Sequence, residues 1–154
     1  MIPAIFGELL AIVFVAGTSH LAVVTGVGYL LFPEMGALAY DTCKRPFGIW
    51  ACAPVSLFVA PTVAAAIGTA ICWGLPSSLA ATALCITLAI GLLRLARSPI
   101  APAISAAYLP LALNVRTWHY PVAIAIVTGA LACIVFARRC FLKIDSGQPK
   151  AGRR

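Results

Sequence analysis

Residues 46–93 read PFGIWACAPVSLFVAPTVAAAIGTAICWGLPSSLAATALCITLAIGLL, 48 positions without an Asp, Glu, Lys or Arg. As one straight helix they would run roughly 72 Å, more than twice a bilayer hydrocarbon core of about 30 Å. The stretch must therefore fold back within lipid, and Gly74-Leu75-Pro76-Ser77-Ser78 carries the turn signal. This predicts one span near 50–73 and a second near 78–93. Pro54 suits the start of the first, and Pro61 would kink it.

The flanks extend the pattern. Residues 9–32 are also uncharged and would reach about 36 Å as a helix. No basic segment precedes them and the apolar run is too long for a signal peptide, so they count as a first span. The polar patch Asp41-Thr42-Cys43-Lys44-Arg45-Pro46 follows. Beyond the long stretch, Arg94 and Arg97 bracket a break, and 98–115 is uncharged but interrupted by Pro99, Pro102 and Pro110. A last span is expected over Pro121–Ala137, with Pro121 in its first turn and Trp118, His119 and Tyr120 in an interfacial belt. The whole chain is 62% hydrophobic and 10% charged, against about 25% charged for soluble domains. The expectation is an all-α integral membrane protein. It has four to five transmembrane helices with proline-broken or re-entrant segments, a transmembrane domain over 1–142 and a basic cytoplasmic tail over 143–154.

Charge sets the orientation. Six of the eleven Lys/Arg residues sit at the C-terminus: Arg138, Arg139, Lys143, Lys150, Arg153 and Arg154. They read as a cytoplasmic anchor, with an acidic-lipid or nucleic-acid tail as the alternative. On the anchor reading no nucleic acid is expected. If 98–113 crosses, there are five spans; only Arg116 lies outside, and Glu8 with the N-terminal flank faces out. If it is re-entrant, there are four spans and the termini share the inner side. Charge favours five. The six cysteines show no zinc-type spacing and sit mostly in apolar runs, so they read as small hydrophobes. No metal or other cofactor is expected.

Two segments echo each other at an offset of 68 residues: Ala39-Tyr40 with Ala107-Tyr108, and Trp50 with Trp118. Each Tyr ends a stretch of small residues after a proline, from Pro33 through Gly36 to Tyr40 and from Pro102 to Tyr108. Chance accounts for so short a match as readily as an internal two-fold repeat does. If the repeat holds, broken segments at matching positions point to a transporter's binding site.

Several side chains are candidates for that site. Arg97-Ser98-Pro99 has the form of a helix start, Ser98 as N-cap and Pro99 first in the helix. With Arg94 nearby this would make an anion site; the alternative is a plain interfacial helix start with arginine anchors. Ser105 and Tyr108 would follow on one face with hydroxyl contacts. His20 lies in mid-span, either relaying a proton or hydrogen-bonded between helices. Gly17, His20, Val24 and Gly28 share one face, which predicts close packing there. No paired carboxylates or phosphate-binding loop mark an enzyme.

The stretch Arg94 to Phe136 (basic residue, prolines, small residues, then Trp118-His119-Tyr120-Pro121 leading into an apolar helix) resembles the HPP family of small integral membrane proteins. Pro33, Gly36-Ala37 and Ala39 before the second helix are similar in outline, so the resemblance covers about 25–140. Ser98-Pro99-Ile100-Ala101-Pro102 stands where the family has its His-Pro-Pro triplet. The resemblance implies four spans and, for some members, nitrite transport. The expected function is a small-anion, nitrite-like transporter or channel in the inner membrane. Arg94, Arg97, Ser98, Pro99, Pro102, Ser105, Tyr108, His20, Gly36 and Tyr40 would line its path. The alternative is a non-transporting subunit of a larger membrane complex. A homodimer would supply further walls.

Overall fold

The computed structural model describes residues 2–26 and 34–146. Among them all regular structure is helical: α1 (Ile2–Thr25), α2 (Met35–Lys44), α3 (Pro54–Gly74), α4 (Leu79–Leu95), α5 (Ala103–Ala112) and α6 (His119–Ser146). Three are long and apolar enough to cross a membrane: α1 over Ile5–Thr25, α3, and α6 over His119–Leu142. That supports a membrane protein. The apolar α4 and α5 are shorter, at 17 and 10 residues. Gly28, Pro33, residues 147–154 and the side chain of Lys143 lie outside the described residues. Helix α6 itself continues past 142, where the tail was expected to begin.

Local chemistry sets most boundaries. Pro54 opens α3, which runs through Pro61 and stops at Gly74 before Pro76. The Ser78 hydroxyl caps α4 by accepting from the Ala81 amide at 3.2 Å. Pro121 lies in the first turn of α6, where its missing N–H costs nothing. Helices α4 and α5 end alike. The Ser98 amide donates to the Leu93 carbonyl at 2.9 Å, and the Val115 amide to Pro110 at 2.8 Å. The residues between, Arg97 and Asn114, adopt left-handed φ of 49° and 51°. This is the Schellman termination, with arginine and asparagine where glycine is usual.

Those bonds correct the expected helix start. No helix begins at Ser98-Pro99; residues 98–102 form a connecting turn, and α5 starts at Ala103 with Pro102 at its N-cap. The Ser98 amide is committed backward to α4, so the segment cannot present a free helix start there.

Helix α3 is central and packs against α4, α5 and α6, while α5 also lies on α4, and α1 on α2. Small residues set the closest seam. A Cβ on Gly68 would overlap the Ala107 carbonyl, so α3 and α5 touch backbone to backbone. Similarly, a Cβ on Gly7 would run into the Cys43 carbonyl and the Arg138 guanidinium. Cys43, Cys72 and Cys85 are buried in the core as expected, whereas Cys52, Cys133 and Cys140 are exposed.

Long-range bonds define two ends of the bundle. At one end Lys44 pairs with Glu8 at 3.1 Å, Arg139 donates to the Ala51 carbonyl at 3.0 Å, and the Trp50 indole donates to the Pro99 carbonyl at 2.8 Å. Lys44, Arg45, Arg94, Arg97, Arg138 and Arg139 all belong to this basic end. At the other end the Trp73 indole donates to the Arg116 carbonyl at 2.6 Å, and Ser77 to Leu111 at 3.1 Å. Trp73 and Trp118 pair there at 6.3 Å between centroids. Helices α1, α3 and α5 therefore run away from the basic end, and α2, α4 and α6 return to it. Glu8 is not opposite the basic residues, as the five-span expectation had it, but ion-paired among them. The reason is α2, which carries the chain back beside α1. Its Glu34 N-cap, Asp41 and Lys44 kept this segment from reading as apolar.

The face of α1 with Gly17, His20 and Val24 is exposed, and nothing lies within 4 Å of where a Gly17 Cβ would be. Close packing was expected there. Instead Gly7, Ala11, Phe14 and Ala22 form the buried face.

Candidate functional site

The ten residues singled out from the sequence divide among several places. Arg97 and Pro99 line a cavity of about 530 Å³ between the start of α3 and the end of α4, with Ser56, Val59 and Leu92 among its walls. Ser98 is tied to this wall, because the Ser56 hydroxyl donates to the Ser98 hydroxyl at 2.5 Å. Ser98 also accepts from the Ile100 amide at 3.3 Å, which fixes its orientation. The cavity lies at the N-terminus of α3, where Pro54 lacks an N–H and the next amides have no acceptor within the helix. A helix start, a guanidinium and two fixed hydroxyls thus come together. A helix N-terminus and a guanidinium both favour negative charge nearby, through unpaired amides, the helix dipole and the formal positive charge. The helix start beside Arg97 is that of α3, not the one expected at Ser98-Pro99, and Arg94 is not among the walls of this cavity.

Pro102, Ser105 and Tyr108 line a second cleft of about 460 Å³, together with Glu34, Trp50 and Ile104. Ser105 is buried, and its hydroxyl donates to the Pro102 carbonyl at 2.7 Å. The Trp50–Pro99 bond runs between the two spaces: Pro99 lines the first and Trp50 the second. Gly36 and Tyr40 line a third space of about 420 Å³ between α1 and α2. There the Lys44 ammonium donates to the Tyr40 hydroxyl at 2.5 Å and lies 4.8 Å from its ring centroid. Arg94 is exposed in the last turn of α4 and lines none of these spaces. His20 is exposed on the outer side of α1 and lines none of them either.

Ser56 and Glu34 escaped the sequence reading. Ser56 is one hydroxyl within a long uncharged run, and nothing local pairs it with Ser98, 42 residues on. Glu34 did leave a signal, as the only acid between residues 9 and 40. Among the described residues no group of three or more His, Cys, Asp or Glu could hold a metal ion.

No protein-family model matches this chain, and no curated protein or solved structure matches it. The resemblance to the HPP family rests on the residues quoted for it.

Proposed function

We propose that this chain is a membrane transporter or channel for a small anion of the nitrite kind, which enters at the cavity beside Arg97. The observation that carries the reading is the convergence of Arg97, the Ser56–Ser98 hydroxyl pair and the α3 start on one space. The excess of basic residues at the same end would concentrate anions there. Membership of the HPP family is part of this proposal, and its nitrite-transporting members are the reason for testing nitrite first.

The organisation we infer is an inverted repeat of three helices, α1–α3 and α4–α6. Helices α2 and α5 have ten residues each, and 35 to 103 and 44 to 112 are both steps of 68. That is the offset of the Tyr40/Tyr108 and Trp50/Trp118 echo. At about 15 Å, each is half a bilayer long. The chain then makes six passes, two of them broken, with its termini on the basic, cytoplasmic side of the inner membrane. Broken helices at matching positions of two inverted halves are a transporter's usual substrate region.

The test is uptake of nitrite, nitrate and chloride into proteoliposomes. Saturable flux of at least one anion is expected, cut by about tenfold or more in Arg97→Ala and reduced in Ser56→Ala. Flux that is absent, or indifferent to both substitutions, rejects the reading. The second reading, an accessory subunit, draws on the exposed apolar face of α1, which includes Ile5, Leu9, Ile12 and Val13. A stoichiometric partner retained in mild detergent would favour it, and a pure homodimer with anion flux would not.

A further inference from the structure

The cleft between the start of α2 and α5 differs in sign from the Arg97 cavity. The Oε2 atom of Glu34 is fully buried and has no hydrogen-bond partner among the described residues. Other polar groups on the wall are already engaged: Ser105 donates to Pro102, and the Trp50 indole N–H to Pro99. Glu34 and Tyr108 are walls of this cleft together with Trp50, Ile104 and Pro102, so the Glu34 carboxyl group sits directly behind a mostly apolar and aromatic lining. A carboxylate oxygen held away from water without a donor is costly, and a positive partner removes that cost.

Depth sharpens the point. Helix α2 runs ten residues from Glu34 to Lys44 at the basic end, about 15 Å, or half the hydrocarbon core. In the six-pass arrangement proposed above Glu34 lies near mid-depth, where an ionisable side chain is a functional candidate by default. The space is about 460 Å³, within the roughly 300–1,000 Å³ of small-molecule pockets. A bare metal ion would leave most of it empty and would need several more oxygen ligands. An organic ammonium fits both features, since its charge meets the carboxylate and its apolar body meets the aromatic and aliphatic wall.

We propose that this cleft binds a small, apolar-bodied organic ammonium cation, with Glu34 as counter-ion and Trp50 and Tyr108 as aromatic walls. It is a second site, distinct from the Arg97 cavity, and it stands whether or not the chain carries anions.

The probe is benzyltrimethylammonium, with neopentylbenzene as its uncharged isostere. Binding is measured by titration calorimetry on the full chain in zwitterionic lipid nanodiscs, against empty nanodiscs. One saturable site per chain is expected. Glu34→Gln should weaken it by about tenfold or more, Trp50→Leu should weaken it measurably, and the neutral isostere should not compete. Ile104→Trp fills the cleft while leaving Glu34 in place and should abolish binding, so the result does not hang on whether Glu34→Gln folds. No saturable binding by the folded wild type, equal competition by the isostere, or full binding by folded Ile104→Trp would overturn the proposal. Arg97→Ala should leave this binding unchanged, which separates its failure from failure of the anion reading.

Discussion

The Tyr120 hydroxyl donates to the Ala106 carbonyl at 2.9 Å, and that carbonyl lies four residues before Pro110. Proline has no N–H, so α5 cannot satisfy Ala106 from within. In hydrocarbon no water can do so either. Tyr120, fully buried at the start of α6, supplies the missing donor. Tyr120→Phe should destabilise the bundle by about 1–3 kcal/mol, read from detergent-denaturation midpoints. In a Pro110→Ala background, where residue 110 regains its N–H, the same substitution should cost clearly less. An equal cost in both backgrounds would show that the bond does not compensate for the proline.

Arg97 occupies a left-handed position with φ 49°. An L-residue there gives up about 1–2 kcal/mol that glycine does not. Arg97→Gly should therefore raise stability by up to about 1 kcal/mol while abolishing anion flux. Arg97→Lys should keep part of the flux, since charge survives without the planar fork. Stability and function moving in opposite directions would mark Arg97 as kept for its charge. If Arg97→Gly transports normally, the anion site is elsewhere.

Glycines 68 and 91 offer a paired test. A Cβ on Gly68 would collide with the Ala107 backbone, which cannot swing aside, whereas Gly91 has nothing within 4 Å. Gly68→Ala should lower stability by about 1–3 kcal/mol or more. Gly91→Ala should be neutral or stabilising by up to about 1 kcal/mol, from helix propensity alone. Similar thermal midpoints for the two variants would mean that α3 and α5 are not in backbone contact.

Sidedness can be read with thiols. Cys52 and Cys140 are exposed and line one space with Arg139 at the basic end. In intact cells a membrane-impermeant maleimide should spare both, and in inverted vesicles it should label both. Ser77→Cys, in the α3–α4 turn, should show the reverse pattern. Labelling of Cys52 and Cys140 from opposite sides would break the proposed six-pass arrangement.

The proline and glycine boundaries of the long apolar helices were the most legible. The turn at 74–78, the opening of α3 at Pro54 and the start of α6 near Pro121 agree with the sequence reading within a few residues. Helix α2 was not legible as a returning helix, because its polar residues gather at its ends and lower the average over so short a segment. The Arg97-Ser98-Pro99 motif has the composition of a helix start, yet the Ser98 amide is spent on closing α4. Position in the fold, not residue type, decided that role.

A long uncharged run must hydrogen-bond its own backbone in lipid, and only neighbours four residues away can do this for a helix. Helical class, the principal turn and the membrane setting therefore followed from residue order alone. Which faces meet depends on contacts between distant segments, and no local period encodes them. So the pairing of Glu8 with Lys44, of Ser56 with Ser98, and the meeting of Glu34, Trp50 and Tyr108 along one cleft were decided by tertiary packing.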